Sequence, residues 1–281
     1  MQIRDYSLPA GWFPRDSASV SGFLSEFDSN SGYSTAAIAP HAGWYYSGRI
    51  AARAVSCLKS DTETVVVLGG HLPAGTPPLF AMEDAVKTPF GSIPIDSDLR
   101  SVLVKELDGE EDQYRDNTIE VLLPMVHYFF PKAKILWLRL PAEIQSFDAG
   151  AVISAQAAKL HRSVNVLSST DLTHYGLNYG FSPRGSGQEA LRWVREVNDA
   201  NFIKAVESGN KDEVLRLAER ERSSCSAGAV LGVMGFAAAD KNAGLTAKLL
   251  EYGTSADTEN DGSVPNSFVG YAAMSYVAID K

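Results

Sequence analysis

The sequence predicts an α/β protein: a single domain with a mixed, mostly parallel central sheet flanked by helices. Three observations carry that expectation. Short β-branched and apolar runs, such as TVVVLG at 64–69, alternate with stretches whose apolar residues recur at helical spacing. No repeat, low-complexity tract or linker interrupts the 281 residues, so 1–281 reads as one domain. The composition, 45% hydrophobic and 10% aromatic, supplies a large core and excludes global disorder.

Taken in order, TAAIA at 35–39 reads as a buried strand, and 47–58 as a helix carrying Ile50, Ala51, Ala54, Val55 and Leu58 on one face. The run at 64–69 suits a strand covered on both sides. Residues 86–95 are broken by Pro89, Gly91 and Pro94 and read as a hairpin or irregular edge. Helices are expected at 98–107 and 118–130, then a strand at 134–140, a helix at 147–161 and a strand at 164–168. Helical period continues over 188–207 and 210–222. Ser223–Ser224 suits the cap of a further helix running to about Ala239. Strands at 246–253 and 267–279 complete the alternation.

The formal net charge of -9 argues against nucleic acid or an anionic membrane as partner. No apolar run approaches the ~20 residues of a membrane span, and the first residues lack a signal-peptide core, so a cytoplasmic protein is expected. Cys57 and Cys225 are too few for a disulfide framework and suit a reducing compartment.

Chemistry is expected at the ends of strands. His41 follows TAAIAP, His71 follows TVVVLGG, and His174 lies in SSTDLTHYG after the strand at 164–168. Ligands of open α/β sheets bind outside the carboxyl ends of strands, so His41, His71 and His174, with Asp171, are expected to share one crevice. Cys225 is expected in the first turn of a helix, where the dipole favours thiolate. Cys57, beside Ala54 and Val55, reads as a small buried apolar group. Trp44, Tyr45 and Tyr46 suit a pocket wall, and Glu120 suits a carboxylate orienting an imidazole. Each residue also has a plain structural alternative: a loop pin for His41, a turn for His71, an N-cap for Asp171, a buried histidine for His174, a buried thiol for Cys225 and a solvated helix acid for Glu120. His127 and His161 are assigned to structure.

The segments PHAGWYYSG (40–48), KTPFGSIPID (87–96), NTIEVLLPMV (117–126), SSTDLTHYG (168–176), CSAGAV (225–230) and LEYGTSAD…VGYAA (250–273) together resemble the Memo family, also described as protein B of the AmmeMemoRadiSam system. The resemblance implies a fold similar to class III non-haem iron extradiol dioxygenases. It further implies a metal pocket with His41, His71 and Cys225 as ligands, Cys225 standing where the dioxygenases use a carboxylate. His174 would be the proton-transfer group beside Asp171, and Trp44, Tyr46, Asn117 and Glu120 would face substrate. Asn117 replaces the family's usual His, GGHLPAG replaces a GPNH-like run, and Leu122 replaces a Gln.

The expected function is therefore a mononuclear metal protein, with iron or copper ahead of zinc, and oxidoreductase or dioxygenase-like chemistry on a small molecule. Two imidazoles and a thiolate suit a transition metal better than magnesium or calcium. Two alternatives stand beside it: a metal-free hydrolase with Cys225 as nucleophile, and a non-catalytic module binding a peptide or an anion.

Overall fold

Val65 and Val67 pack into one hydrophobic core and Val66 and Leu68 into another, so one strand separates two apolar layers. That alternation explains why TVVVLG is apolar throughout: both faces of the strand are covered. The structure, a computed structural model, describes residues 1–27, 32–240, 244–258 and 263–278.

The chain opens with β1 (Ile3–Arg4), α1 (Ser17–Leu24), β2 (Ala36–Ala39), α2 (Trp44–Ser56) and β3 (Thr64–Leu72). There follow β4 (Leu79–Phe80), β5 (Ala85–Thr88), β6 (Gly91–Pro94), α3 (Ser97–Glu106), β7 (Glu110–Glu111), α4 (Asn117–Glu120) and α5 (Leu123–Phe129). The second half adds β8 (Lys134–Pro141), α6 (Gln145–Lys159), β9 (Val164–Ser169), β10 (His174–Gly176), α7 (Gln188–Trp193), α8 (Asp199–Glu207), α9 (Lys211–Glu221) and α10 (Ala227–Ala239). It closes with β11 (Leu245–Thr254) and β12 (Ser267–Ala278), so residue 279 of the expected last strand lies outside the described residues.

The main sheet runs β10-β12-β2-β9-β3-β8-β4-β7, with β11 paired to β12. The central strands β2, β9, β3 and β8 are parallel to one another, while β12 and β4 join them antiparallel. The α/β class and the mixed sheet flanked by helices are thus as expected, with the parallel pairing concentrated at the centre and antiparallel pairing toward both edges. One layer holds α2 and α5, and the other α6, α8, α9 and α10. The helix α10 is apolar on every side and buried along its length, as an internal helix must be. The 86–95 segment is a hairpin, β5–β6, which forms a separate three-stranded sheet with β1.

Four boundaries depart from expectation, each for a local reason. The helix expected at 118–130 is two pieces, because Pro124 lacks an N–H and restarts the chain as the first turn of α5. The stretch 188–207 is helical but contains a π-helical turn, Val194–Asn198, between α7 and α8. Strand β3 continues past Gly69 to Leu72, with an irregular register after Gly69, so His71 lies on the strand and not beyond it. Ser223–Ser224 do not cap α10; Ser226 is the N-cap, and its side chain makes no capping bond.

Candidate functional site

Three parallel strands end side by side, and their carboxyl ends carry the expected groups. His41 follows β2, His71 lies at the end of β3, and Ser169 and Asp171 come at and after the end of β9. Because β12 runs antiparallel to β2, its opening residues Ser267, Val269 and Tyr271 reach the same end. The resulting cavity has a volume of about 770 Å³. His41, His71, Asp171, His174, Asn117 and Tyr46 all line it.

His41, His71 and Cys225 present ligand atoms that all lie within 4.8 Å of one another. Two glycines permit this approach. A Cβ on Gly69 would stand 2.3 Å from Thr118 Oγ1, and one on Gly70 would stand 2.4 Å from the Cβ of Ser226. GGH therefore lets the α4 turn and the segment leading into α10 close on His71 from two sides. His71 itself has φ +57°, a left-handed conformation unusual for a residue with a side chain.

Each imidazole is oriented by a polar neighbour. His41 Nδ1 lies 2.6 Å from Ser169 Oγ, which turns Nε2 toward Cys225 Sγ at 3.2 Å. His71 Nδ1 lies 3.0 Å from Asp116 Oδ2. The two rings stand nearly perpendicular, 5.0 Å between centroids. Asp116 also accepts from the backbone N–H of Thr118 at 2.8 Å and pairs with buried Arg139 at 3.2 Å. It is thus both the N-cap of α4 and the carboxylate behind His71. Asp171 caps no helix; its Oδ1 accepts the backbone N–H of His41 at 2.7 Å.

The electrostatics couple these groups. Burial alone would raise the Cys225 thiol, but His41 and His71 outweigh it and hold the thiol well below its ordinary value. Burial alone would depress the His71 imidazole, but Asp116 and the Cys225 thiolate lift it to about 10. Asp116 would be raised by burial, yet His71 and Arg139 draw it down to about 2. His41 is pulled down by burial and lifted above the usual histidine range by Asp171 and Cys225. Asp171 is raised by burial and by the nearby thiolate, despite His41. The expected cause for Cys225 is therefore corrected: the residue precedes the N-cap of α10, and two imidazoles, not a helix dipole, favour its thiolate. Cys57, just past the end of α2, is buried and pushed up to about 12 by burial, an inert apolar thiol as expected.

His174 opens β10, its Nδ1 3.1 Å from the carbonyl of Leu172 and its ring edge-on to Tyr179 at 4.9 Å between centroids. Asn117 donates to the carbonyl of His41 at 3.0 Å, tying α4 to the loop after β2.

Three expected pocket residues lie elsewhere. Trp44 is buried beneath α2, packed on Phe23 with its indole N–H donated to the carbonyl of Val121 at 2.9 Å, because the indole has an apolar body and one donor to satisfy. Glu120 orients no imidazole among the described residues. Its buried carboxylate accepts the backbone N–H groups of Ser7 and Leu8 and lies 3.7 Å from Arg15, pinning the N-terminal segment. Tyr45 points out, 72% exposed, beside a neighbouring groove. Asp116, Ser169, Tyr179 and Tyr271 escaped the sequence reading. The usable signal for Asp116 was its place as a capping acid directly before NTIE, in a segment already singled out.

Among the described residues, no helix is long and apolar enough to cross a membrane. Comparison with known proteins gives a family match, described as Memo-like protein, over residues 4–275. A MEMO1 family protein of Pyrococcus abyssi is 31% identical over 96% of this chain and 98% of its own length. One from Pyrococcus horikoshii is 30% identical over 97% and 99%, and one from Methanopyrus kandleri 31% identical over 84% and 81%. Among solved structures, the uncharacterized protein JW3007 from Escherichia coli K12 superposes with a TM-score of 0.46 at 13% identity, covering 84% of this chain and 98% of that one. With a whole-chain family match and relatives near one-third identity along their full lengths, this chain belongs to the Memo family.

Proposed function

We propose that the cavity is a mononuclear transition-metal site of oxidoreductase, dioxygenase-like character, in which His41, His71 and Cys225 hold iron or copper. The observation that carries this reading is the meeting of three ligand atoms from distant segments within 4.8 Å. A shared ion with bonds of about 2.0–2.3 Å places its ligand atoms roughly 3.3–4.6 Å apart, so the closest pair here, 3.2 Å between Cys225 Sγ and His41 Nε2, would open slightly to admit one. The donor set fits. Nδ1 of each histidine faces a neighbour, Ser169 or Asp116, which leaves Nε2 for an ion. The thiol is held toward thiolate, the ligating form. Two nitrogens and a sulfur suit iron, copper or zinc and not magnesium or calcium. When bound, such an ion supplies Lewis-acid and redox chemistry.

The protein's own groups do the rest. His174 spends Nδ1 on the Leu172 carbonyl, so Nε2 is the atom that accepts or returns a proton. Asp171, raised toward its neutral form, fixes the backbone of His41 and stands ready as a second proton carrier on the cavity wall. Tyr46 and Asn117 border the space a small molecule would fill. Both cysteines are free, which suits a reducing cytoplasm.

Metal analysis after anaerobic reconstitution tests the reading. Wild type should hold about one equivalent, and His41→Ala or Cys225→Ser should lower affinity about 10–100-fold or more. Equal, negligible metal in all three proteins would overturn it. One observation favours a second reading, a metal-free hydrolase with Cys225 as nucleophile: its Sγ lies 3.2 Å from His41 Nε2, a thiolate–imidazole pair. Ester or amide hydrolysis by chelator-treated protein would select it.

A further inference from the structure

We infer that Asp199 is the positioning residue for His174. Through Thr173 it fixes the backbone from which the imidazole reaches the cavity, so that Nδ1–H stays on the Leu172 carbonyl and Nε2 stays bare. The inference deepens the metal-site reading and rests on its assignment of His174 as the proton carrier. His174 lines the cavity and Asp199 does not, so the acid acts through its neighbour.

Thr173 is fully buried between the end of β9 and the start of β10. Its carbonyl accepts the N–H of Gly270 at 3.0 Å, and the N–H of Leu172 donates to the Gly270 carbonyl at 2.8 Å, so β12 holds one side of the segment. The N–H of Thr173 goes instead to Asp199 Oδ1 at 3.1 Å, and the same oxygen accepts the Thr173 hydroxyl. Asp199 Oδ2 accepts the hydroxyl of Tyr252 on β11 at 2.7 Å, which anchors the other end of the carboxylate. Asn198 adds a further bond: its Nδ2 lies 2.8 Å from Thr173 Oγ1 and 2.9 Å from the carbonyl of Glu221 at the end of α9. An amide nitrogen carries two hydrogens and serves both.

Two features bring the acid to this place. Asn198 closes the π-helical turn and Asp199 opens α8, and π-helical turns recur at functional sites. Gly270 supplies the room, since a Cβ there would stand 2.0 Å from Asp199 Oδ2. The carboxylate therefore lies against bare backbone of β12, one residue from Val269, which faces His174 across the strand pair. Burying an acid is costly unless hydrogen bonds compensate. Two of the bonds that compensate here go to the residue directly before His174.

That residue controls the imidazole for a geometric reason. His174 Nδ1 lies 3.1 Å from the carbonyl of Leu172, a bond that closes a small ring through Thr173. Rotation of the Thr173 backbone moves the carbonyl and the imidazole apart. The partner of one ring nitrogen decides which nitrogen carries the proton, so the clamp on Thr173 also sets the tautomer of His174.

Nitrogen-15 NMR of histidine-labelled, chelator-treated full chain tests this at about pH 8.5, above the ordinary histidine range. Loss of signals in His174→Gln assigns the resonances. In wild type the Nδ1–H form should outnumber the Nε2–H form about tenfold. Asp199→Ala should reduce that ratio about five- to tenfold and Thr173→Val about threefold. Asp199→Asn should keep it within about twofold, because the amide oxygen still accepts from Thr173 and the Tyr252 hydroxyl turns to accept. The ratio reads one bond within the folded chain, so a general loss of stability does not move it. If Asp199→Ala fails to fold, Thr173→Val, which removes only a hydroxyl, decides. A ratio unchanged in Asp199→Ala or Thr173→Val, lost as fully in Asp199→Asn as in Asp199→Ala, or near one in wild type would overturn the inference. Iron uptake by the same proteins separates the two ideas. No uptake with the ratio falling as expected removes the metal reading alone, and uptake with an unchanged ratio removes this one.

Discussion

Cys225 Sγ and His41 Nε2 lie 3.2 Å apart although 184 residues separate them along the chain. The contact exists because β2 delivers one residue and the segment before α10 the other, both at the same end of the sheet. Its chemical meaning is that an imidazole and a thiol share a proton in favour of the thiolate.

That meaning can be read with an alkylating reagent on metal-free protein. The iodoacetamide rate at Cys225 should fall less steeply as pH drops from 8 to 6 than that of an ordinary thiol, because the two imidazoles favour the thiolate. In His41→Gln the rate should fall more steeply over the same range, approaching the tenfold per pH unit of an ordinary thiol near pKa 8.5 only when His71 is replaced as well. Parallel pH profiles for the two proteins would show that His41 does not set the ionisation.

The Asp116–His71 pair gives a pH window for stability in the metal-free protein. His71 is lifted to about 10, so its contribution is complete below about pH 6.5 and fades as pH rises toward 10. Asp116 is lowered to about 2, so its contribution is complete above about pH 4 and fades as pH falls toward 2. Asp116→Asn should therefore cost about 2–4 kcal/mol in urea unfolding at pH 5.5 and distinctly less at pH 9.5. An equal cost at both pH values would mean that the carboxylate acts through its helix-capping bond and not through His71.

Asp199 runs the other way. It is fully buried, accepts from the backbone and hydroxyl of Thr173 and, at 2.7 Å, from Tyr252, and pairs with no lysine or arginine among the described residues. Burial raises its carboxyl to about 6. An acid whose folded value lies above its unfolded one loses stability as pH rises between the two, here from about 4 to 6. Asp199→Asn keeps an acceptor for Thr173 and removes the charge, so it should stabilise the protein by about 1–3 kcal/mol at pH 7 and have little effect near pH 4. Thermal melts at the two pH values measure this.

Gly70→Ala tests the glycine approach. The new methyl would meet Ser226 at 2.4 Å, on a strand that cannot retreat from both neighbours. It should destabilise the fold by about 1–3 kcal/mol and lower metal affinity by pushing Cys225 away from His71. Normal metal uptake in the variant would mean that the segment before α10 accommodates the methyl by moving without Cys225.

Much of this was legible in the chain itself. The long strands β3, β8 and β12 announce themselves by continuous apolar runs, since both faces are covered. Strands β4, β7 and β10 have two or three residues and exist only through their partners, so no local pattern marks them. Helix α1, SASVSGFL, is rich in serine and carries a glycine, poor helix formers whose order comes from Asp16 at its N-cap and from burial of Val20 and Leu24. Within the site, His41, His71, Asp171 and His174 were found by position after strands. Asp116 was not, because a capping acid and a histidine's partner look alike until the fold places 45 residues of chain between them in contact. Glu120 and Trp44 looked functional for the opposite reason: a buried acid and an indole beside a histidine motif are also what an N-terminal clasp and a helix underside require.

The left-handed backbone of His71 carries a final consequence. Any L side chain at that φ forgoes roughly 1 kcal/mol that glycine would keep. His71→Gly should therefore leave a protein more resistant to unfolding than His71→Ala, with neither able to contribute an imidazole. Both variants also lose the pair with Asp116, so the difference between them isolates what the backbone at this position costs, and the larger loss they share measures what the imidazole returns.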